Sequence, residues 1–313
     1  MITFRSHRFE AIGTYWVIEA YEPVDDEAWA DLLAAVAARI EAFDQAYSRF
    51  RPDSLVTTMA ATAGTYQLPT DAAALFELYR ELYEHTGGAM TPLIGGTLAA
   101  AGYDANYSLM PAAALLVPPA WDDVMAFAAP NQLTLHQPAL LDVGAAGKGY
   151  LADLVGEVLE AAGLTSYCVD AGGDIRYRLG ASEPAAAASE PAASAAEPLR
   201  VGLEHPADPT QVIGVAELSP GWSICGSAGN RRAWAGYHHI VDPRTLQSPR
   251  HLAAVWVTAR TTLLADALTT ALFFVAPDTL RRYYEFEFAL VRADMALAAS
   301  PGFSAAFFTA DQS

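Results

Sequence analysis

The stretch LDVGAAGKGYLADLVGEVLEAAGLTSYCVD (residues 141–170) contains the most informative local pattern in the chain. Residues 139–143 are mostly apolar and predict a strand, and the glycine-rich turn GAAGKG (144–149) follows it. Apolar residues at helical spacing then predict a helix over 149–163, and SYCVD (166–170) predicts a second strand. A strand, a glycine loop, a helix and a strand therefore form the centre of the fold.

Helix and strand patterns flank this centre on both sides. Residues 8–21 predict a strand, 26–47 an amphipathic helix with acidic residues in its first turn, and 70–85 a second helix. The segment 88–119 is rich in Gly, Ala and Pro, which predicts an irregular but ordered connection. Further strand patterns precede a predicted helix over 263–275.

One segment has a composition of its own. Residues 181–198, ASEPAAAASEPAASAAEP, contain only Ala, Ser, Glu and Pro. A segment without branched or aromatic side chains cannot bury enough apolar surface to offset the entropy lost on ordering. The sequence predicts a disordered surface insertion between two strands and not a boundary between domains.

Composition excludes several classes of protein. The 313 residues are 53% hydrophobic and 17% charged, which indicates a folded chain. A net charge of −18 disfavours nucleic-acid partners and anionic membrane surfaces, and two cysteines are too few for a disulfide framework. With no signal-peptide pattern at the N-terminus and no apolar run of ~18 residues, we expect no membrane insertion and, most simply, a cytoplasmic protein.

The first candidate site is the GAAGKG loop. A glycine turn that opens a helix presents backbone N–H groups to an anion, and Lys148 adds a positive charge. The spacing is not that of a Walker loop, since Gly149 stands where Ser or Thr would bind magnesium. Alternatively, the glycines serve a tight turn and close helix packing. Asp142, just before the loop, could bind a ligand or cap the turn.

The second candidate is YHHIVDPRT (237–245). Adjacent His238 and His239 on a strand point to opposite faces, so at most one of them faces a site. A single histidine is more often structural than catalytic, and Asp-Pro-Arg-Thr is also an ordinary turn.

The third candidate is ADALTTALFF (265–274). Asp266, Thr269 and Thr270 lie three and four residues apart on one helical face, and such hard oxygen donors suit Mg²⁺. The alternative is that Asp266 complements the helix dipole while the threonines bond back to helix carbonyls.

Together these motifs resemble the FAD:protein FMN transferase family, also called the ApbE family. The pieces occur in the family's order over nearly the whole chain. They are IGT (12–14), YSRFRPDS (47–54), GGAMTP (87–92), LDVGAAGKGYLADLV (141–155), AGGDIR (171–176), HIVDPRT (239–245) and ADALTTALF (265–273).

The resemblance implies a fold and an activity. It implies a single α+β domain over residues 1–313, with mixed or antiparallel sheets packed against helices. It also implies a Mg²⁺-dependent enzyme that moves the FMN half of FAD onto a Thr or Ser hydroxyl of an acceptor flavoprotein and releases AMP.

The resemblance further assigns roles by position. The implied Mg²⁺ ligands are Asp266, Thr270, Thr269 and the backbone carbonyl of Ala145. Lys148 is implied to lie near the diphosphate, and His239 to be catalytic, either as a general base or as a hydrogen-bond donor to phosphate. The other positions implied to bind FAD are Ile12, Phe50, Ala89, Met90, Thr91, Asp142 and Ile240.

The chain departs from the family pattern at a few positions. Met90-Thr91-Pro92 stands where members commonly have Phe-Asp-Pro, Gly226-Ser227-Ala228 replaces Thr-Ser-Gly, and Leu246 and Ile12 replace Gly and Met. Two rival functions therefore stay open, a Mg²⁺-dependent FAD pyrophosphatase and a catalytically silent flavin-binding protein. No acceptor motif occurs in the chain, so self-flavinylation is not expected.

Overall fold

An antiparallel sheet runs through the centre of the computed structural model, which describes residues 5–180, 197–230 and 232–308. The first half of the chain contains β1 (Arg5–Ala11), β2 (Thr14–Ala20), α1 (Asp26–Tyr47), α2 (Leu55–Ala61), β3 (Gly64–Gln67), α3 (Ala73–His85), a 3₁₀ turn (Pro92–Ile94), α4 (Gly95–Ala100), α5 (Trp121–Val124), β4 (Met125–Ala128), β5 (Gln132–Leu135) and α6 (Gly147–Ala161). The second half contains β6 (Tyr167–Ala171), β7 (Ile175–Arg178), β8 (Leu199–His205), β9 (Asp208–Leu218), β10 (Ser223–Ala228), β11 (Ala233–Trp234), β12 (Tyr237–His238), β13 (Leu252–Ala259), α7 (Thr262–Ala271), α8 (Pro277–Leu280), β14 (Glu287–Arg292), β15 (Leu297–Ala299) and β16 (Ala305–Phe307).

The strands of the described residues form one large sheet and three small ones. The large sheet has the order β1-β2-β6-β7-β10-β13-β14-β15, and all its neighbours pair antiparallel. The small sheets are β16-β9-β8, β3-β5-β4 and the β11-β12 pair. The fold is a single α+β domain of helices packed on antiparallel sheets, as the sequence resemblance implied.

Two hydrophobic cores lie on the two faces of the large sheet. Alternate residues of a strand point to opposite faces, so β10 sends Cys225 to one core and Ile224 to the other. The first core includes α1, α6 and α7, and the second lies under the β8-β9-β16 sheet. The helices of the first core bring the glycine loop and the Asp-Thr-Thr helix together.

Helices α6 and α7 touch at a glycine. A side chain on Gly149 would place its Cβ 2.3 Å from the carbonyl oxygen of Thr262 and 2.5 Å from the Cβ of Asp266. The Gly149 N–H instead donates to Asp266 Oδ2 at 2.8 Å. The close-packing interpretation of the glycine loop therefore holds at this position, where a larger residue would separate the two helices.

Two sequence predictions about strands are wrong. Residues 8–21 are not one strand but the β1-β2 hairpin, in which Ile12 and Gly13 both have positive φ, as a two-residue hairpin turn requires. Residues 139–143 form no strand, because their backbone bonds to α2 and to the 3₁₀ turn and not to a strand: Ala139 N donates to Met59 O and Asp142 N to Pro92 O.

The remaining helix predictions hold within a few residues. The helix at 26–47 coincides with α1, and the helices near 70–85 and 263–275 correspond to α3 and α7. The segment 88–119 is irregular except for the 3₁₀ turn and α4. The insertion predicted at 181–198 lies, apart from its last two residues, outside the described residues; it connects β7 of the large sheet to β8 of a small one.

Within the residues that the structure describes, no helix is both long enough and apolar enough to cross a bilayer.

Asp153 fixes the start of α7. Its Oδ1 and Oδ2 accept hydrogen bonds from the backbone N–H groups of Thr262 and Leu263 at 3.0 and 2.8 Å. The same carboxylate forms an ion pair with Arg176 at 2.7 Å, and both side chains are buried. One side chain thus satisfies two donors that every helix N-terminus leaves open and neutralises a buried cation.

We predict that Asp153→Ala lowers the free energy of unfolding by about 3–5 kcal/mol, because two backbone N–H groups of α7 lose their acceptor and the buried Arg176 loses its buried ion-pair partner and keeps the more exposed Glu160. Urea denaturation measures the change. The control is Asp26→Ala, which breaks the Arg5 pair of an Asp whose side chain is 93% exposed and should cost less than about 1 kcal/mol. A similarly small loss for Asp153→Ala would contradict the prediction.

Candidate functional site

A cavity of about 560 Å³ opens where α6 begins. The β1-β2 turn, the end of α1, the loop after α3, the glycine loop, the end of β10, the segment after β12 and α7 all contribute to its wall. A cavity of this size lies within the range of small-molecule and cofactor sites.

The cavity brings together residues that the sequence separates by up to 258 positions. All the predicted site residues except Thr269 line it. They are Ile12, Phe50, Ala89, Met90, Thr91, Asp142, Ala145, Lys148, His239, Ile240, Asp266 and Thr270.

One end of the cavity is highly charged and largely buried. Lys148 Nζ lies 2.8 Å from Asp174 Oδ2, and Asp174 is only 1% exposed. Asp266 is 6% exposed and accepts the Gly149 N–H, so it lies beside the first turn of α6. Two carboxyl groups therefore share a single ammonium group at this end.

Burial shifts the pKa values of these groups. Burial, together with the charge of Asp174, raises the pKa of Asp266 well above its usual range, and Lys148 opposes the shift. Burial alone would lower the pKa of Lys148, but Asp174 and Asp266 outweigh it and the pKa lies above its ordinary value. A cation bound beside Asp266 would stabilise the ionised form of that carboxylate and lower its pKa.

The two threonines of α7 have different surroundings. Thr270 lines the cavity beside Asp266. Thr269 is fully buried, and its hydroxyl lies 2.7 Å from the backbone oxygen of Asp266 and 2.9 Å from Ser227 Oγ. Its hydroxyl therefore bonds back to the helix, which was the alternative weighed for this motif.

Arg49 lines the same cavity. Its Nε donates to Asp142 Oδ2 and its Nη1 to the Tyr103 carbonyl at 2.6 Å, while the guanidinium packs over the Phe50 ring at 4.3 Å. Its Nη2 is buried and has no hydrogen-bond partner among the described residues. Phe50 stacks on Tyr107 with ring centroids 5.0 Å apart, so this wall is aromatic with one unsatisfied donor.

The sequence analysis did not identify Arg49, Tyr103, Tyr107 or Asp174 as site residues. Arg49 and Asp174 lie inside two of the quoted motifs, which was the available signal. Their partners are 93 and 26 residues away, and no spacing rule connects such distant positions.

The histidine pair divides as the strand pattern predicted. His239 lines the cavity, whereas the ring of His238 contacts the Pro249 carbonyl at 2.8 Å on the other side. Burial and the positive charges of Arg232, His238 and Lys148 lower the pKa of His239 to about 3, and its Nδ1 has no partner within the described residues. His239 is thus a neutral imidazole at physiological pH.

Two departures from the family pattern have structural accounts. Thr91 caps the 3₁₀ turn by accepting the Leu93 N–H at 3.2 Å, a function that the usual Asp can also perform. Leu246 has a φ of 58°, in the left-handed region that favours the glycine found in other members.

The oxygen donors near α7 suit a hard cation. The carboxylate of Asp266, the hydroxyl of Thr270 and Ala145 share the cavity wall, and Mg²⁺ typically takes few protein ligands. In the described parts of the chain, no group of three or more His, Cys, Asp or Glu forms a metal cluster. A donor set with one carboxylate is consistent with that finding.

Known proteins similar to this chain agree on one name. The curated FAD:protein FMN transferase of Treponema pallidum (strain Nichols) is 28% identical over 96% of this chain and 83% of its own. The FAD:protein FMN transferase of Klebsiella pneumoniae (strain 342) is 27% identical over 86% of this chain and 78% of its own.

Solved structures share the fold. The flavin transferase ApbE from Vibrio cholerae superposes with a TM-score of 0.75 over 97% of this chain and 99% of its own, at 20% identity. The ApbE protein from Thermotoga maritima has the same TM-score over 96% and 97%, at 21% identity. The model of the ApbE family matches residues 12–291, and the chain belongs to that family.

Proposed function

We propose that this protein is an FAD:protein FMN transferase, which moves FMN from FAD to a Thr or Ser hydroxyl of an acceptor flavoprotein and releases AMP. The observation that carries the proposal is a single cavity with a Lys148-Asp266 charged end, an aromatic wall and a neutral His239. The names of the relatives support the same activity. We further propose one domain over residues 1–313.

The two ends of the cavity suit the two kinds of chemistry in FAD. Lys148 and the first turn of α6 offer positive charge and backbone N–H groups to a diphosphate. Phe50, Tyr107 and the unsatisfied Nη2 of Arg49 offer an apolar surface and a donor to a planar, carbonyl-bearing ring. The remaining predicted FAD-binding residues complete the wall: Ile12, Ala89, Met90, Thr91, Asp142 and Ile240.

Asp266, Thr270 and the carbonyl of Ala145 would hold Mg²⁺. Thr269 would join them only after giving up its bonds to Asp266 O and Ser227, so we assign it first to supporting the helix. The ion would neutralise charge that develops on the phosphates as the bond between them breaks.

The transfer forms one bond and breaks another. The acceptor oxygen bonds to the phosphorus of the FMN half, the bond to the AMP oxygen breaks, and the hydroxyl proton must leave. His239 is neutral and has an unpartnered Nδ1, so it can accept that proton. A neutral imidazole also carries one ring N–H, so donation to a phosphate is the alternative role.

The proposal is tested by incubating the protein with FAD, Mg²⁺ and a flavin-acceptor domain. We expect an intact-mass gain equal to FMN minus water, matched by one AMP per transfer. AMP without a mass gain would instead indicate a pyrophosphatase. FAD binding without either product would indicate a silent flavin-binding protein, and both results would contradict the transferase.

We predict that Asp266→Asn lowers Mg²⁺-dependent transfer by about 10²-fold or more, because the variant keeps an acceptor for the Gly149 N–H but loses the charge that would bind the ion. AMP release, measured against Mg²⁺ concentration, reports the change. The control is Asp278→Asn, at an exposed position of α8. Unchanged activity and Mg²⁺ dependence in Asp266→Asn would exclude this carboxylate as a ligand.

We predict that His239→Gln lowers the transfer rate by about 10²–10⁴-fold, the usual contribution of a general base. FAD affinity, measured by flavin fluorescence, should change little. His136→Gln, at an exposed position, is the matched control. A loss below tenfold would reduce His239 to a binding role.

The low pKa of His239 also predicts a pH dependence of stability. Between about pH 3 and pH 6.5 the unfolded chain protonates this histidine and the folded chain does not, so stability falls as pH falls below 6.5. From pH 7 to pH 5, the wild type should lose about 1–2 kcal/mol more unfolding free energy than His239→Gln in metal-free, flavin-free buffer. Parallel losses in the two proteins would argue against a buried neutral histidine.

A further inference from the structure

A second, smaller cavity adjoins the first. It has a volume of about 110 Å³ and lies between the large sheet and the β8-β9 hairpin. Gly226, Ser227 and Ala228, the last three residues of β10, line both cavities. We define the smaller cavity as the slot; its other lining residues are Gly173, Val201, Gly202, Glu204, Pro206, Ile224, Ala254 and Trp256.

The slot runs along the end of β10, where β7 no longer pairs with it. Strand β13 pairs with β10 over the whole of Ser223–Ala228. On the other side, β7 begins at Ile175, which pairs with Ile224, and the chain turns away through residues 171–174. Within the described residues, the register of β7 therefore stops two residues before Gly226.

The direction of the backbone groups follows from the ladder. Alternate residues of an antiparallel strand bond to opposite neighbours. Just outside β10, Tyr177 N donates to Trp222 O on the β7 side, and Gly229 N donates to Ala253 O on the β13 side. Even-numbered residues of β10 thus direct their N–H and C=O groups away from β13, and those of Gly226 and Ala228 point toward the slot.

The slot lies between exposed residues and the wall of the charged cavity. Gly202 and Gly173 of the slot are exposed, and the hydroxyl of Ser227, which lines both cavities, lies 2.9 Å from Thr269 Oγ1. The side chains at the strand edge are small, so a second backbone can approach it. An exposed strand edge of this kind is the surface that extended peptides use when they add a strand to a sheet.

We propose that the acceptor protein binds here, as an extended segment that pairs with Gly226 and Ala228 and carries its hydroxyl through the slot into the larger cavity. This inference rests on the proposed transferase function. The occupant is the acceptor segment, because the slot shares Gly226, Ser227 and Ala228 with the cavity in which a protein hydroxyl must react.

The first test fills the slot without changing the larger cavity. Val201 lines only the slot and is partly buried, and Val201→Phe places a larger side chain there. We expect kcat/KM for a flavin-acceptor domain with one acceptor threonine to fall at least tenfold, mainly through KM, with FAD affinity within twofold. Val212→Phe, at a 45% exposed position of the same hairpin, is the matched control.

The outcomes separate the inference from the proposed function. If the wild type transfers FMN and Val201→Phe does so equally well, the slot is not the acceptor site. If the wild type does not transfer at all, the proposed function itself fails. A matching loss of kcat/KM in Val212→Phe would also overturn the proposal that the slot binds the acceptor, because any bulky change in the β8-β9 hairpin would then have the same effect.

A second measurement uses the wild-type chain and does not depend on how a variant folds. The acceptor domain is made unreactive by a Thr→Val change at its acceptor threonine and is added with FAD. Hydrogen exchange at the amides of Gly226 and Ala228 should slow at least tenfold, while the amide of Val212 should not change. Unchanged exchange at Gly226 and Ala228 under saturating acceptor domain would overturn the proposal.

Discussion

The contact between α6 and α7 at Gly149 is the constraint on which the rest of the site depends. Only a hydrogen in place of a side chain lets the two helices approach to the observed distance. At that distance the Gly149 N–H reaches Asp266, and one turn further along α6 the Asp153 carboxylate reaches the first N–H groups of α7. The loop that offers N–H groups to an anion and the helix that offers oxygen atoms to a cation are positioned by the same contact.

The arrangement of charge follows from this geometry. Asp266 of α7 and Asp174, just before β7, are taken out of water beside a single Lys148. Placing fixed charges in a poorly solvated site costs stability and makes each charge act more strongly on a ligand. Arg49 and Asp142, which line the same cavity, form an ion pair and so neutralise each other's charge beside the Phe50 ring.

Short-range patterns in the sequence predicted much of the fold, and those patterns together with the family resemblance identified twelve of the residues that line the cavity. The spacing of apolar residues located α1, α3, α6 and α7, and the ordered series of motifs indicated the family. The failures have a physical cause. The apolar run at 139–143 has the composition of a strand, but its hydrogen-bond partners are Met59 of α2 and Pro92 of the 3₁₀ turn, and no local pattern contains such distant partners. Arg49 and Asp174 were missed because their partners are distant in sequence, and Thr269 could not be told from Thr270 because only packing decides which hydroxyl faces the helix.

The spacing of these contacts along the chain bears on how the protein folds. The Gly149-Asp266 hydrogen bond closes a loop of 117 residues, and the Arg49-Asp142 pair closes one of 93. Long-range closures of this kind form late, because the entropy of the connecting chain must be lost before the contact can compensate for it. No fragment that ends before α7 contains the charged end of the cavity. During synthesis on the ribosome, the chain therefore acquires its ligand-binding surface only after nearly all of its residues have emerged.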